Sequence, residues 1–280
     1  MPADEDKYPT ESGRRRFVKG VVGSATLASV GTGAAAALGT ATSSSGAGGG
    51  ITQYVAIENI DGPAPRGMPI VPLTIEGDEL KGVWPEVKET TEGGKTVQVA
   101  ETEIGGVTYS SQWFQYCGVQ TYPGVRPGEE QDNFLRASSG DTYGWMSDID
   151  AGDKLTVDMF DDYEEWGNGI GKSGLGKPAM ATWRSKDVEP QSTMPVQVLR
   201  STKIEELAAE NEFMAAATED GFMAWLDKCT HFCCVPGFKA YEGSAKFGGE
   251  DRVYCQCHQS VYNPFQPVEK SFVALPRPEE

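Results

Sequence analysis

Apolar and polar residues alternate along much of the chain beyond residue 51. Lys95 to Ile104 sets Val97, Val99 and Ile104 among polar neighbours, the period-two pattern of a half-buried strand. Val107 to Cys117 and Lys154 to Phe160 are rich in β-formers and predict further strands. Gly and Pro punctuate these runs, as turns require. Helical spacing stands out once. Thr202 followed by Glu205 forms a capping box, and Ile204, Leu207 and Ala208 supply an apolar face, so a helix is expected from about Thr202 to Ala217. The expected class is mainly β, antiparallel, with no internal repeat.

The first 60 residues follow a different pattern. Arg14, Arg15 and Arg16 precede Phe17, Val18 and Lys19, and no charged side chain follows from residue 20 to residue 57. Residues 21–41 are rich in Ala, Gly, Val and Thr. Such a run can cross a hydrocarbon core, which needs about 20 residues. Arg-Arg-x-Phe-Val-Lys resembles a twin-arginine (Tat) export signal. The basic flank places residues 1–19 in the cytoplasm by the positive-inside rule. The expectation is therefore a cell-membrane protein, with residues 20–41 as transmembrane anchor or signal helix and the rest on the outer face. Ala35 to Ala37 offer small residues for cleavage. Residues 42–52 are Ser/Gly-rich, a flexible linker.

Charge narrows the partners. The chain carries 41 acidic against 24 basic residues, a formal net charge of −17. Phosphate backbones would be repelled, which argues against nucleic acid. The acidic residues are scattered along the chain, which suggests a solvated acidic surface and fits a high-salt setting where screening removes self-repulsion. Gly169-Ile170-Gly171-Lys172-Ser173 looks like the end of a phosphate loop, but Trp166 stands where the first glycine is needed. The run is expected to be a surface loop.

The chemistry lies between residues 229 and 262. Five of the six cysteines fall at Cys229, Cys233, Cys234, Cys255 and Cys257, and the chain's two histidines are His231 and His258. Coupled clustering of this kind reads as a metal site. Cys-Thr-His and Cys-Gln-Cys-His each place one thiol and one imidazole on a short loop. Two such loops brought together make a four-ligand centre. The same donors could also hold structural zinc, although an exported chain with extra cysteines suits zinc less well.

The two segments, Cys-Thr-His-x-x-Cys and Cys-x-Cys-His-x-Ser-x-Tyr, resemble the cluster loops of Rieske iron–sulfur proteins of the cytochrome bc type. The resemblance covers about residues 221–265. It implies an antiparallel Rieske-type β-sandwich head, with residues 191–280 as the Rieske domain and a cluster-binding subdomain carrying loops 229–234 and 255–262. It implies one [2Fe–2S] cluster, with Cys229 and Cys255 on a buried iron and His231 and His258 on an exposed one. A Cys234–Cys257 disulfide would bridge the loops, and Ser260 and Tyr262 would donate hydrogen bonds that tune the cluster. It further implies the iron–sulfur subunit of a quinol–cytochrome c reductase-like complex. Its partners would be a cytochrome b-type membrane subunit, quinol at His258, and a cytochrome or blue-copper acceptor. A Rieske subunit of an exported molybdenum oxidoreductase or nitrate reductase system is the alternative.

The chain also departs from that pattern. Cys233 stands where a glycine is usual, and 23 residues separate His231 from Cys255, which suggests an enlarged hairpin over residues 237–251. The run Lys270-Ser271-Phe272-Val273-Ala274-Leu275-Pro276 replaces the usual Gly-Pro-rich shielding loop. The chain stops soon afterwards, so a final strand is either missing or supplied from residues 51–190. Cys117 and Cys233 either pair with each other or are small buried residues. Residues 53–190 form a β-rich region without a resemblance of its own.

Overall fold

The computed structural model describes residues 50–92, 95–140 and 142–274. The expected export signal, anchor and most of the linker lie outside the described residues. Among the described residues no helix is long and apolar enough to cross a membrane.

The chain is mainly antiparallel β. Strands β1 (Gly50–Asp61), β2 (Met68–Val71), β3 (Leu73–Glu76), β4 (Glu79–Gly82), β5 (Val87–Glu92), β6 (Lys95–Ile104) and β7 (Val107–Ser110) come first. Then follow β8 (Arg136–Ala137), β9 (Lys177–Trp183), β10 (Met194–Arg200) and β11 (Phe222–Leu226). The last are β12 (Gly237–Phe238), β13 (Val253–Cys255) and β14 (Ser260–Ala274). Nine of them form one sheet in the order β12-β13-β14-β1-β2-β11-β10-β9-β8, while β3-β4 and β5-β6-β7 form two small sheets. The large sheet thus draws on both the early β-rich region and the Cys/His region.

Its centre is buried on both faces and apolar except for Gln197 of β10, whose side chain bonds the Tyr143 hydroxyl and the Phe238 amide. Phe222, Met223, Ala224, Trp225 and Leu226 of β11 are all buried, the continuous run expected of a covered central strand. Their neighbours Val196, Val198 and Leu199 of β10 are fully buried as well. Three tryptophans, Trp113, Trp183 and Trp225, are among the largest fully buried side chains. At about 25 cal/mol per Å² of apolar surface, burying aromatic residues of this size dominates the core energetics.

The final strand is supplied from the chain's own start. β1 pairs with β14 from Gly50↔Ala274 to Asp61↔Val261, with a register break where Ile57 faces Pro267 and Glu58 faces Asn263. The break extrudes residues 264–266. Pro264 opens the extruded segment and Pro267 follows it, and neither can donate to a ladder. Residues 270–274 therefore belong to a strand, whereas the sequence suggested a loop over the cluster.

Three local expectations need correction, and one stands. β6 covers Lys95–Ile104 as predicted. The stretch Val107 to Cys117 is strand only to Ser110, whose hydroxyl accepts the Gln112 amide and starts a 3₁₀ turn, Ser111–Phe114. That turn drives Trp113 and Phe114 into the core. Lys154 to Phe160 is no named strand. Lys154 and Thr156 make single bridges to Arg136 and Glu79, and Val157–Phe160 is a 3₁₀ turn. The expected single helix is two, α1 (Thr202–Glu210) and α2 (Glu212–Ala217). Ser201 rather than Thr202 caps α1, and Asn211 ends α1 and caps α2 by accepting the Met214 amide. Short polar side chains compete with helix interior bonding and favour such breaks.

Candidate metal centre

The first loop leaves the buried strand β11 and turns back on itself. The Cys229 amide donates to the Cys234 carbonyl at 2.7 Å, and the Cys233 amide to the Cys229 carbonyl at 3.0 Å. The second loop is the tight β13–β14 connection, closed by the Gln259 amide on the Cys255 carbonyl at 2.9 Å. Gly62, at φ +82°, presses against this loop: a Cβ there would lie 2.6 Å from the Gln259 carbonyl oxygen and from the Ser260 Cα. Only glycine permits that approach. Residues 237–255 form the enlarged hairpin, β12 pairing with β13 around a 3₁₀ turn at Glu242–Phe247.

The loops bring all the sequence-predicted residues together. Cys229 and Cys255 are buried, and among the described residues they are the free cysteines. His231 is half-buried and His258 exposed, with ring centroids 4.7 Å apart. Phe232, 66% exposed, lies against both rings at 4.5 and 5.1 Å. Tyr262 is fully buried and its hydroxyl donates to the Cys229 sulfur at 3.2 Å. Ser260 is fully buried, and its hydroxyl makes no aligned hydrogen bond.

Two disulfides frame the loops. Cys234–Cys257 joins one loop to the other, and Cys117–Cys233 joins the first loop to the segment after β7. Their sequence separations are 23 and 116 residues. In the chain-entropy picture they stabilise by about 3 and about 5 kcal/mol. The sulfurs of Cys234, Cys255 and Cys257 lie within 4.8 Å of one another. Since two of them share a disulfide, the Cys255 thiol is the one in that trio able to act as a ligand. The thiols left for a metal are therefore Cys229 and Cys255.

Those thiols form an unequal pair. A hydrogen bond from Cys255 brings Cys229 down to about 5, against burial, with smaller help from Tyr262, the His231 backbone and Ser260. Cys255 is pushed up by that same bond and by burial. One buried thiolate is thus already stabilised before any metal binds, which favours the ligand form of cysteine. Nδ1 of His231 is buried without a hydrogen-bond partner. Two thiols, two imidazoles and a buried ring nitrogen without a partner converge here. Buried polar groups seldom stay unpaired, so this donor set suits a metal centre.

Comparison with family models, with curated proteins and with solved structures returns no match for this chain. Its reading rests on the residues themselves.

Several supporting residues escaped the sequence pattern. The Thr230 amide donates to the Tyr262 hydroxyl at 3.1 Å, and the Thr230 hydroxyl donates to the Arg66 carbonyl. The Arg66 guanidinium stacks over Tyr54, Tyr116 and Phe272 at 4.4–5.4 Å, an arrangement worth about 0.5–2 kcal/mol for each cation–π contact. Asp227, two residues before the first thiol, is fully buried with neither carboxylate oxygen aligned to a donor. Burial pushes its carboxyl well above the usual range, partly offset by the Trp225 indole. The position of Thr230 between Cys229 and His231 was the one available sequence signal. Arg66 and Asp227 carried none.

The glycine-rich run 169–173 is a surface loop that buries Ile170 and exposes its other residues. Its Lys172 amide donates to the Asp251 carboxylate at 2.8 Å, which puts a negative charge where a phosphate would have to sit.

Proposed function

We propose that this chain is a Rieske-type electron-transfer protein. Cys229, Cys255, His231 and His258 would hold one [2Fe–2S] cluster. The observation that carries this reading is the meeting of two buried, unoxidised thiols with the chain's two imidazoles on paired loops, cysteines inside and histidines outward. When bound, the cluster supplies one-electron chemistry, at roughly −150 to +300 mV for this ligand set.

The chain's own groups have separate tasks. Cys229 and Cys255 anchor the buried side, and Tyr262 and Ser260 place hydroxyls at the sulfur side. His258 is the exposed ligand and offers its ring edge to a partner. It is the group we assign to hydrogen bonding with a quinol hydroxyl. Phe232 covers both histidine rings with apolar surface at the tip.

The host would be a quinol-oxidising complex of the cytochrome bc type. The head, tethered by residues 42–52 to an anchor at residues 20–41, would serve a cytochrome b-type subunit and pass electrons to a cytochrome or blue-copper acceptor on the outer face. Two disulfides favour an oxidising compartment, in keeping with Tat-type export. Purifying the complex from membranes and identifying its subunits tests this. A cytochrome b-type subunit is expected; a molybdopterin-binding subunit instead would overturn the quinol assignment.

A further inference from the structure

We propose that the Cys117–Cys233 disulfide positions the first ligand loop, and that residues 116–122 work as a brace of the metal centre. The inference rests on the reading of Cys229 and His231 as ligands.

Both partners occupy backbone positions that side chains avoid. Cys233 has φ +65° and Cys117 has φ +53°, in the left-handed region where glycine carries no penalty. A cysteine kept at each position, and bonded to the other, points to the bond as the reason for the residue. Cys233 and Cys234 are neighbours tied in opposite directions, to Cys117 and to Cys257. The loop's C-terminal side is therefore held from two sides.

Its N-terminal side is held by the same distant segment. The Tyr116 hydroxyl donates to the Lys228 carbonyl at 2.9 Å. The Lys228 ammonium donates to the Cys117 carbonyl at 3.3 Å and to the Tyr122 hydroxyl at 2.9 Å. The Cys117 sulfur lies 3.5 Å from the Cys229 carbonyl oxygen. Residues 116–122 thus grip the chain one residue before Cys229 and four residues after it. Between the two grips stand His231 and the exposed Phe232. The tip can meet a partner while its base stays fixed, the supporting shell a preorganised site needs.

The test uses the full chain as purified in detergent, in three forms: wild type, Cys117→Ser/Cys233→Ser and Cys117→Ser/Cys233→Gly. Hydrogen exchange is followed over residues 228–234, with residues 196–226 as control, and cluster loss to a chelator is timed by visible absorption. Both variants should exchange at least about tenfold faster in 228–234 with the control unchanged, and lose the cluster faster by a similar factor. The glycine variant removes the backbone penalty at position 233, within the ligand loop, so it separates loss of the bond from strain in that loop. Unchanged exchange in 228–234, wild-type behaviour of the glycine variant, or an equal rise in the control would each overturn the proposal. A wild-type chain that binds no iron would overturn the cluster reading instead, and the exchange result would still decide the brace.

Discussion

The Tyr262 hydroxyl donates to the Cys229 sulfur at 3.2 Å while accepting the Thr230 amide at 3.1 Å. One phenol therefore links β14 to two consecutive residues of the first ligand loop. The sulfur is the nearer acceptor for its proton, the Thr230 hydroxyl oxygen lying 3.4 Å away with its own proton on the Arg66 carbonyl. A hydrogen bond of this kind favours the more negative state of whatever the sulfur binds. Tyr262→Phe and Ser260→Ala should each lower the midpoint potential by roughly 40–60 mV, equivalent to about 1 kcal/mol for one electron. The visible spectrum should stay intact. Potentiometric titration of the two variants checks this, and an unchanged potential in both would remove their tuning role.

The Cys234–Cys257 bond spans the two loops directly. Cys234→Ser/Cys257→Ser should lower the unfolding free energy by about 3 kcal/mol, read as a shift in the denaturation midpoint. Cluster retention should fall with it. Peptide mapping of the native protein should find this pair oxidised; free thiols at both positions would contradict the assignment.

Lys239 is a buried cation, 1% exposed, paired with Asp251 at 3.1 Å. Its ammonium also donates to the Lys172 carbonyl, so it fastens the glycine-rich loop to the β12–β13 hairpin. Removing one member of a buried pair costs about 3–5 kcal/mol. Because the Asp251 side chain keeps 19% exposure, about 2–3 kcal/mol is expected for Lys239→Met. Lys239→Met/Asp251→Asn should recover part of that loss in urea unfolding. No recovery would mean that the Lys172 contact, rather than the ion pair, carries the stabilisation.

Salt should act through the net charge of −17. Exposed pairs such as Lys88–Glu86 at 3.2 Å favour low salt, but each is worth only about 0–1 kcal/mol. General self-repulsion is screened over about 3 Å at 1 M against about 30 Å at 0.01 M. Repulsion should win. The melting temperature is expected to fall by more than about 5 °C, roughly 2 kcal/mol, on dilution from molar to millimolar salt. An equal melting temperature at both ends would mark an ordinary acidic protein.

Local patterns were readable where local forces decide. The alternation in Lys95–Ile104 became β6 because each residue meets a neighbour on β5 or β7. The coincidence of Cys and His marked the candidate site because few other roles gather those residue types. Lys154 to Phe160 misled because β-forming residues there had only single bridging partners. Asn211 split the helix through a side-chain bond that periodicity does not register. The β1–β14 pairing joins residues about two hundred positions apart, and such register comes from packing, not from either strand alone. The brace from Tyr116 and Cys117 was invisible for the same reason. So was Arg66, whose carbonyl receives the Thr230 hydroxyl.

The most direct test is the paramagnetic resonance spectrum of the dithionite-reduced protein, taken together with its iron and acid-labile sulfide content. Two irons and two sulfides per chain are expected, with a paramagnetic signal from the one-electron-reduced two-iron cluster. Cys229→Ser and His258→Ala should each abolish it. One zinc per chain with no iron and no signal would contradict the account and leave a structural metal site in its place.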